Sequence, residues 1–439
     1  MNSISKKTIL ASIVITISLW LIFIFIPKIF FGIFSALGAL GLVLAFPELG
    51  LGILINGKFI GIPFRGTGIT GLVGFLLIFL SFLGLLYYIK KYKVRIWENY
   101  GILAWNVFLI AILLFIGSFY SRDVINGLLK FVWYIAINFY LFFAILMFRF
   151  DQKKIEALIF VFLLFGIFLN ILSLGFLVQY GISSSQRLDI FNINAVWMAR
   201  YFSLTILSAL FFLNKSDKIF IKFFLAVIII VETFFIFRTG SRAPFVSLFI
   251  AAFVYVILQY KSRVKYLLTY LSVLLAASIL PFFLIQSYIR NRFFLLFDIT
   301  NLSNLSLLIR FSSWQNAYEL FKSNFFFGIG TGSFQFFDHI NKYPHNIFLE
   351  FASELGIIGL LAFFSFIYFT FLNFFIVNRQ CKDVNILSIS NFMLVMLLLS
   401  LINACFSGAI VDNEWIWFAS GGILATKSLA SAGARRNDS

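Results

Sequence analysis

Residues 100–119 read Y-G-I-L-A-W-N-V-F-L-I-A-I-L-L-F-I-G-S-F, without one charged side chain. Wound as a helix rising 1.5 Å per residue, such a run spans about 30 Å, the thickness of a bilayer's hydrocarbon core. Similar runs lie near 69–89, 126–148, 155–178, 194–213, 218–237, 244–260 and 266–286. Three more, near 347–377, 386–404 and 411–427, follow a longer hydrophilic insertion. Across 439 residues 62% are apolar, 20% aromatic and only 12% charged, which excludes a water-soluble enzyme, a secreted disulfide scaffold and a nucleic-acid-binding domain. The expected fold is an all-α polytopic membrane protein.

The 34 basic residues exceed the 17 acidic ones, and where they fall sets the threading. Lys90, Lys91, Lys93 and Arg95, then Arg149, Lys153 and Lys154, then Lys215 and Lys218, then Lys261, Arg263 and Lys265, then Arg379 and Lys382 occupy every second connection. By the positive-inside rule these loops are cytoplasmic. The stretch 287–346 then lies outside, with the short loops near Arg122, Arg187, Arg238 and Arg242, while Arg435 and Arg436 return inside. Lys6 and Lys7 precede an apolar segment at 8–26 that lacks a small-residue cleavage site and reads as an anchor. Residues 8–57 must cross an odd number of times. One full crossing plus a re-entrant piece around Gly38, Gly41, Gly50 and Gly52 gives about 12 transmembrane helices, with 14 as the alternative.

No fixed-period repeat or linker divides the chain, so residues 1–439 read as a single integral membrane domain with one large outer loop, 287–346, inserted between helices. Within that loop Leu307, Leu308, Phe311, Trp314, Ala317, Tyr318 and Phe321 recur at helical spacing, as in an amphipathic helix lying at the interface. Cys381 and Cys405 flank an apolar segment and should sit at opposite faces, which argues against a disulfide between them.

Ionisable groups at membrane depth are costly and mark substrate or ion paths. The outer face collects Arg200 at the start of a span, Arg238 and Arg242 in the turn R-T-G-S-R-A-P at 238–244, Arg290, Arg292, Arg310, and both histidines, His339 and His345. Arg242 precedes Pro244, which suits a first helical turn, so its guanidinium falls beside free amides that favour an anion. A lone arginine at a span end ordinarily snorkels to the headgroups, and Arg310 has Glu319 or a lipid phosphate as alternative partners. His345 follows Pro344 at the mouth of a long apolar helix, where an imidazole of ordinary pKa near 6.5 suits proton abstraction. The spacing of His339, His345 and Asp338 matches no common metal arrangement. G-I-G-T-G at 328–332 follows no strand and reads as a flexible turn rather than a phosphate loop. Asp412 and Glu414 form an acid-x-acid pair that could serve Mg²⁺ or be structural.

From Arg310 to Gly359 the chain reads R-F-S-S-W-Q-N-A-Y-E-L-F, then G-I-G-T-G-S-F, then H-N-I-F-L-E-F-A-S-E-L-G-I-I-G. This resembles the signature region of the O-antigen ligase and O-antigen polymerase superfamily, in which an arginine precedes a tryptophan-bearing helix and His-Asn opens the next transmembrane helix. G-S-R-A at 240–243 resembles that family's first external arginine, and N-I-N-A-V-W-M-A-R at 192–200 a segment upstream of it. The resemblance covers roughly 190–425; the first third matches only in being hydrophobic.

The resemblance implies a multi-pass protein of the bacterial inner membrane whose site faces the periplasm. Its donor would be an undecaprenyl-pyrophosphate-linked glycan and its acceptor another glycan or lipid A core, with no cofactor, metal or nucleic acid. By motif position His345 would be the catalytic base, and Arg242, Arg310 and, more weakly, Arg200 would bind the pyrophosphate. The chemistry is coherent: an attacking sugar hydroxyl needs its proton removed, whereas the leaving pyrophosphate needs paired donors, which arginine supplies. Direct attack would invert the anomeric carbon, since no carboxylate is placed as a covalent nucleophile. The rival class is a transporter or flippase of lipid-linked oligosaccharide, expected to show corresponding halves with interrupted helices; a metal-dependent transferase using Asp412 and Glu414 is a further alternative. Ligase and polymerase differ in acceptor only, and the sequence does not separate them.

Overall fold

A computed structural model describes residues 46–56, 70–94, 101–149, 151–181, 187–188, 190, 194–259, 305–338 and 340–437. Every regular element among them is helical: α1 Pro47–Ile55, α2 Thr70–Tyr92, α3 Gly101–Phe119, α4 Val124–Leu146, α5 Gln152–Tyr180, α6 Ala195–Lys215, α7 Ile219–Thr239, α8 Arg242–Gln259, α9 Leu305–Ser323, α10 Ile347–Gln380, α11 Val384–Ala404 and α12 Glu414–Asn437. Eight of these, α3 to α8 with α10 and α11, are long and apolar enough to cross a membrane. The chain is a multi-pass helical membrane protein. The total number of crossings depends further on α2 and α12, which are not among the eight, and on 8–57 and 266–286, which lie largely or wholly outside the described residues, as do Arg290, Arg292 and His339.

The helices start and stop where side chains complete their ends. Asp123, Asp151, Asn194, Asn346 and Asp383 each accept a hydrogen bond from a first-turn amide of α4, α5, α6, α10 and α11. Gly240, at φ +61°, ends α7 in the left-handed conformation, and α8 begins at Arg242 with Pro244 in its first turn, as the turn chemistry predicts. The last span predicted at 411–427 divides instead into a 3₁₀ turn, Ile410–Asp412, and a helix that begins at Glu414. Cys381 and Cys405 are free thiols just beyond the two ends of α11, a helix of 21 residues, hence about 30 Å long.

The chain forms two compact units. The first comprises residues 1–96, 150–248 and 252–293. In it α6 packs on α7 and α5, and α1 on α2 and α5. The α5–α6 crossing is close because a Cβ on Gly166 would lie 2.0 Å from Thr205 Oγ1. Charges at the predicted cytoplasmic ends pair internally: Lys154 with Glu48 at 2.7 Å, and Lys215 with Glu156.

The second unit comprises 97–149, 249–251 and 294–439. Here α12 packs on α11, α4 and α10, and α3 on α4 and α10. Trp417 is fully buried, its ring 4.6 Å from Phe366 and 5.0 Å from Tyr134. Two helices depart from regular geometry: α4 contains a π turn at Tyr134–Phe139, and α10 is broken at Gly356 (φ +66°, ψ −162°). At the break, Ile357 N–H donates to Phe325 O at 2.7 Å, while Ser353 O and Glu354 O accept from Ile329 and Gly330 N–H, both at 2.9 Å. The groups freed by the interruption are thus taken by the 325–330 segment, as a buried backbone requires.

The glycine turn at 328–332 is packed, contrary to the expectation of flexibility. Its amides are committed to protein acceptors: beyond the two just named, Thr331 N donates to Gly117 O at 3.0 Å and Gly332 N to Glu354 Oε2 at 2.8 Å. With those donors spent, the turn has no phosphate cradle to offer. Helix α9 forms as predicted, but its buried positions include Ser313 and Ala317, while Leu308, Phe311 and Tyr318 are exposed at 41%, 56% and 53%. The predicted apolar stripe is therefore split: three of its side chains are exposed, whereas Ala317 is buried beside Ser313 and Trp314 packs 6.1 Å from Phe406.

Candidate active site

In the second unit, Asn346 caps α10 by accepting from Phe348 N at 3.0 Å and Leu349 N at 3.2 Å. This gives the His-Asn pair a physical reading: the asparagine starts the helix, and the histidine stands just outside it. His345 has φ +58°, one of two non-glycine residues with positive φ among the described residues. Left-handed backbone is uncommon outside glycine, and such strain concentrates at functional positions.

The ring is held on two sides. Nε2 lies 3.2 Å from Asn341 Oδ1, and the Tyr343 ring packs edge-on at 4.6 Å between centroids. Asn341 Nδ2 donates to Ser313 Oγ at 2.7 Å, and Ser313 Oγ donates to Asp338 Oδ2 at 2.6 Å. Asp338 Oδ1 accepts from the amides of Ile340 and Asn341 at 2.9 and 3.0 Å, and Asn316 Nδ2 donates to Phe337 O at 2.9 Å. Ser313 and Asn316, one turn apart on α9, thus hold the 337–341 loop against the helix.

Burial, and then the charge of Arg310, push the His345 imidazole down from 6.5 to about 4, against the weaker upward pull of Asp338 and Asp412. Arg310 and His345, the two residues singled out in the second unit, therefore sit within electrostatic reach of each other. At neutral pH the imidazole is uncharged, and its buried Nδ1 has no hydrogen-bond partner among the described residues. Asp412 accepts from Ala409 N at 3.1 Å, a contact that closes its own turn. Among the described residues no three His, Cys, Asp or Glu side chains group as a metal site.

In the first unit Arg242 is the first residue of α8, partly exposed, and Arg200 is 3% exposed with its guanidinium 4.3 Å above the Trp197 ring. Arg238 is fully buried, with Nη2 3.4 Å from Gly181 O. Arg187 serves the architecture, donating to Thr239 O at 2.7 Å and Ser241 Oγ at 3.1 Å and so tying down the turn that presents Arg242.

Sequence reasoning passed over Ser313 and Asn341 and weighed Asp338 only as a metal ligand. The polar run D-H-I-N-K-Y-P-H-N at 338–346, between apolar segments, was the available signal. It also passed over Lys130, whose Nζ lies 2.5 Å from Glu350 and 2.6 Å from Glu354, carboxylates at the start of α10.

These features define a polytopic helical membrane protein carrying, at the mouth of a span, a neutral histidine within electrostatic reach of an arginine. Residues 224–364 match the family model Wzy_C, O-antigen ligase, a region that holds Arg242, Arg310 and His345. The match supports the resemblance to the O-antigen ligase and polymerase superfamily and implies glycosyl transfer. No curated protein matches the chain.

Proposed function

We propose that the protein transfers a glycan from undecaprenyl pyrophosphate to an acceptor hydroxyl at the periplasmic face of a bacterial inner membrane. The acceptor is another lipid-linked glycan or lipid A core. His345 takes the hydroxyl proton as the bond to the anomeric carbon forms, and the electron pair of the broken C–O bond leaves with the lipid pyrophosphate. Arg310 holds that pyrophosphate, and on the sequence resemblance Arg242 and Arg200 are further donors to it. Attack is direct and inverting, without a metal.

The observation that carries this reading is that Arg310 lies within electrostatic reach of a neutral His345 whose buried Nδ1 has no hydrogen-bond partner among the described residues. An imidazole of pKa about 4 is a weak base. A dianionic diphosphate bound to Arg310 would neutralise the charge that helps depress it, so basicity would rise as the donor binds. Arginine gives the leaving group paired, charge-assisted hydrogen bonds, and a stable departing anion needs no general acid.

The test incubates purified protein with undecaprenyl-pyrophosphate glycan and each acceptor, with EDTA present. Wild type should elongate one acceptor with inverted configuration, and folded His345→Ala should lose transfer. Near-normal turnover by that variant would remove histidine as the base; retained configuration would remove direct attack.

A further inference from the structure

The hydrogen bonds around His345 fix where its proton resides, and the accounting starts at the far end. Asp338, as a carboxylate, only accepts, and its Oδ2 is 2.6 Å from Ser313 Oγ, so the single hydroxyl proton of Ser313 points at Asp338. Ser313 Oγ is left with lone pairs and accepts from Asn341 Nδ2 at 2.7 Å. A reversed amide would bring Asn341 Oδ1 against an oxygen whose proton is already committed, two acceptors face to face. Asn341 therefore presents Oδ1 to His345, 3.2 Å from Nε2. An amide oxygen cannot donate, so Nε2 carries the hydrogen. A neutral imidazole has only one N–H, which leaves the lone pair on Nδ1. That atom is buried and has no partner among the described residues.

We infer that Asn341, oriented by Ser313 and Asp338, is a positioning residue that holds His345 as the Nε2–H tautomer and makes Nδ1 the atom that receives the acceptor's proton. The inference rests on the reading of His345 as general base. When the acceptor O–H bond breaks, its proton goes to Nδ1, its oxygen bonds to the anomeric carbon, and the pyrophosphate departs with the C–O electron pair. The imidazolium keeps Nε2–H on Asn341 and then releases the Nδ1 proton to water. The choice of an amide has a consequence. It orients the ring without the charge by which a carboxylate would raise basicity, leaving that adjustment to Arg310 on α9, Asp338 in the loop and Asp412 in the 3₁₀ turn.

The chain has two histidines, so His339→Gln leaves a single imidazole. Solid-state NMR of this full-length variant in lipid, labelled with [¹⁵N]histidine and held above the ordinary histidine pKa, should show a protonated Nε2 and a bare Nδ1. Ser313→Ala in the same background should give both tautomers. A dominant Nδ1–H form before that change, or an unchanged spectrum after it, overturns the inference. These spectra require no turnover, so they stand even if His345→Ala remains active and the base assignment falls. In the transfer assay Asn341→Ala should lower kcat about 10- to 100-fold with little change in donor KM, the scale seen when groups orienting a metal-ligating histidine are removed. Asn341→Asp, which still accepts from Nε2–H, should recover part of that loss and move the acid limb of the pH profile upward. Equal rates for the Ala and Asp variants, or an unmoved limb in Asp, would count against a role in orienting the ring.

Discussion

Lys130 on α4 donates to Glu354 on α10 at 2.6 Å, and the same ammonium reaches Glu350 at 2.5 Å. The remaining contacts complete a cluster: Glu350 Oε2 accepts from Ile410 N at 2.9 Å and Glu354 Oε2 from Gly332 N at 2.8 Å. One cation thus fixes two carboxylates that in turn hold the 3₁₀ turn before α12 and the glycine turn after α9. Both acids are buried, so removing the cation leaves charge without a counterion in a medium that solvates it poorly.

Lys130→Met should therefore cost about 3–5 kcal/mol, the range for breaking a buried pair from one side. Combining it with Glu350→Gln and Glu354→Gln should recover much of that loss, because the uncompensated charge goes too. Unfolding in mixed micelles measures both, and a triple variant less stable than the single one would refute the account.

Gly356 gives a second test, because two costs act there. Its φ of +66° with ψ −162° lies where essentially only glycine goes, disfavouring any side chain by about 1–3 kcal/mol, and a Cβ would lie 2.3 Å from Phe326 O, a backbone atom that cannot swing aside. Gly101 has φ +71° but open space, and Gly175 in α5 has open space without a left-handed φ. Gly356→Ala should fail to accumulate as folded protein, Gly101→Ala should lose about 1–2 kcal/mol, and Gly175→Ala should gain up to about 1 kcal/mol. Thermal unfolding of the three in one detergent ranks them; any other order breaks the argument.

What the sequence revealed and what it concealed follow from interaction range. Spans such as 101–119 and 384–404 were legible because length and apolarity are local, and the α7–α8 turn because Gly240 and Pro244 punctuate it. Arg310 and His345 were legible as motif members. The Lys130 cluster was not, since its partners lie 220 and 224 residues away along the chain. The break at Gly356 was hidden inside the long segment 347–377, where one glycine carries no sign of its φ. The side of α9 that holds the 337–341 loop was not legible, because apolar spacing marks a stripe without saying which polar side chains, here Ser313 and Asn316, meet the protein.

Backbone strain at His345 can be separated from its chemistry. At ordinary φ a glycine is less stable than an alanine by roughly 0.5–1 kcal/mol; at +58° the order reverses, because only the alanine meets the steric penalty of about 1–2 kcal/mol. His345→Gly should unfold later than His345→Ala although both lose the Asn341 bond and transfer activity. Alanine as the more stable of the two would show that the left-handed backbone is not retained.

For the arginines, Arg310→Lys and Arg242→Lys keep a positive charge while losing the planar fork that grips two phosphate oxygens. Each should weaken donor use by at least tenfold in kcat/KM, roughly the loss of one good charged hydrogen bond. Unchanged donor handling by both would mean that they merely reach for lipid headgroups.

The pH profile joins the two halves of the proposal. His345 acts as a base only when neutral, and its folded pKa of about 4 lies below the ordinary 6.5, so kcat/KM for free enzyme should hold as pH falls through 6.5 and decline only toward 4. Stability follows the same sign: an unfolded imidazole binds its proton near 6.5, so this contribution is complete above that value and is lost progressively down to about 4. Arg310→Gln removes one depressing charge and leaves burial, the larger cause, so the limb should move up yet stay below 6.5. A wild-type limb already at 6.5, unaffected by Arg310→Gln, would mean that the imidazole titrating in catalysis is not the buried, arginine-facing one.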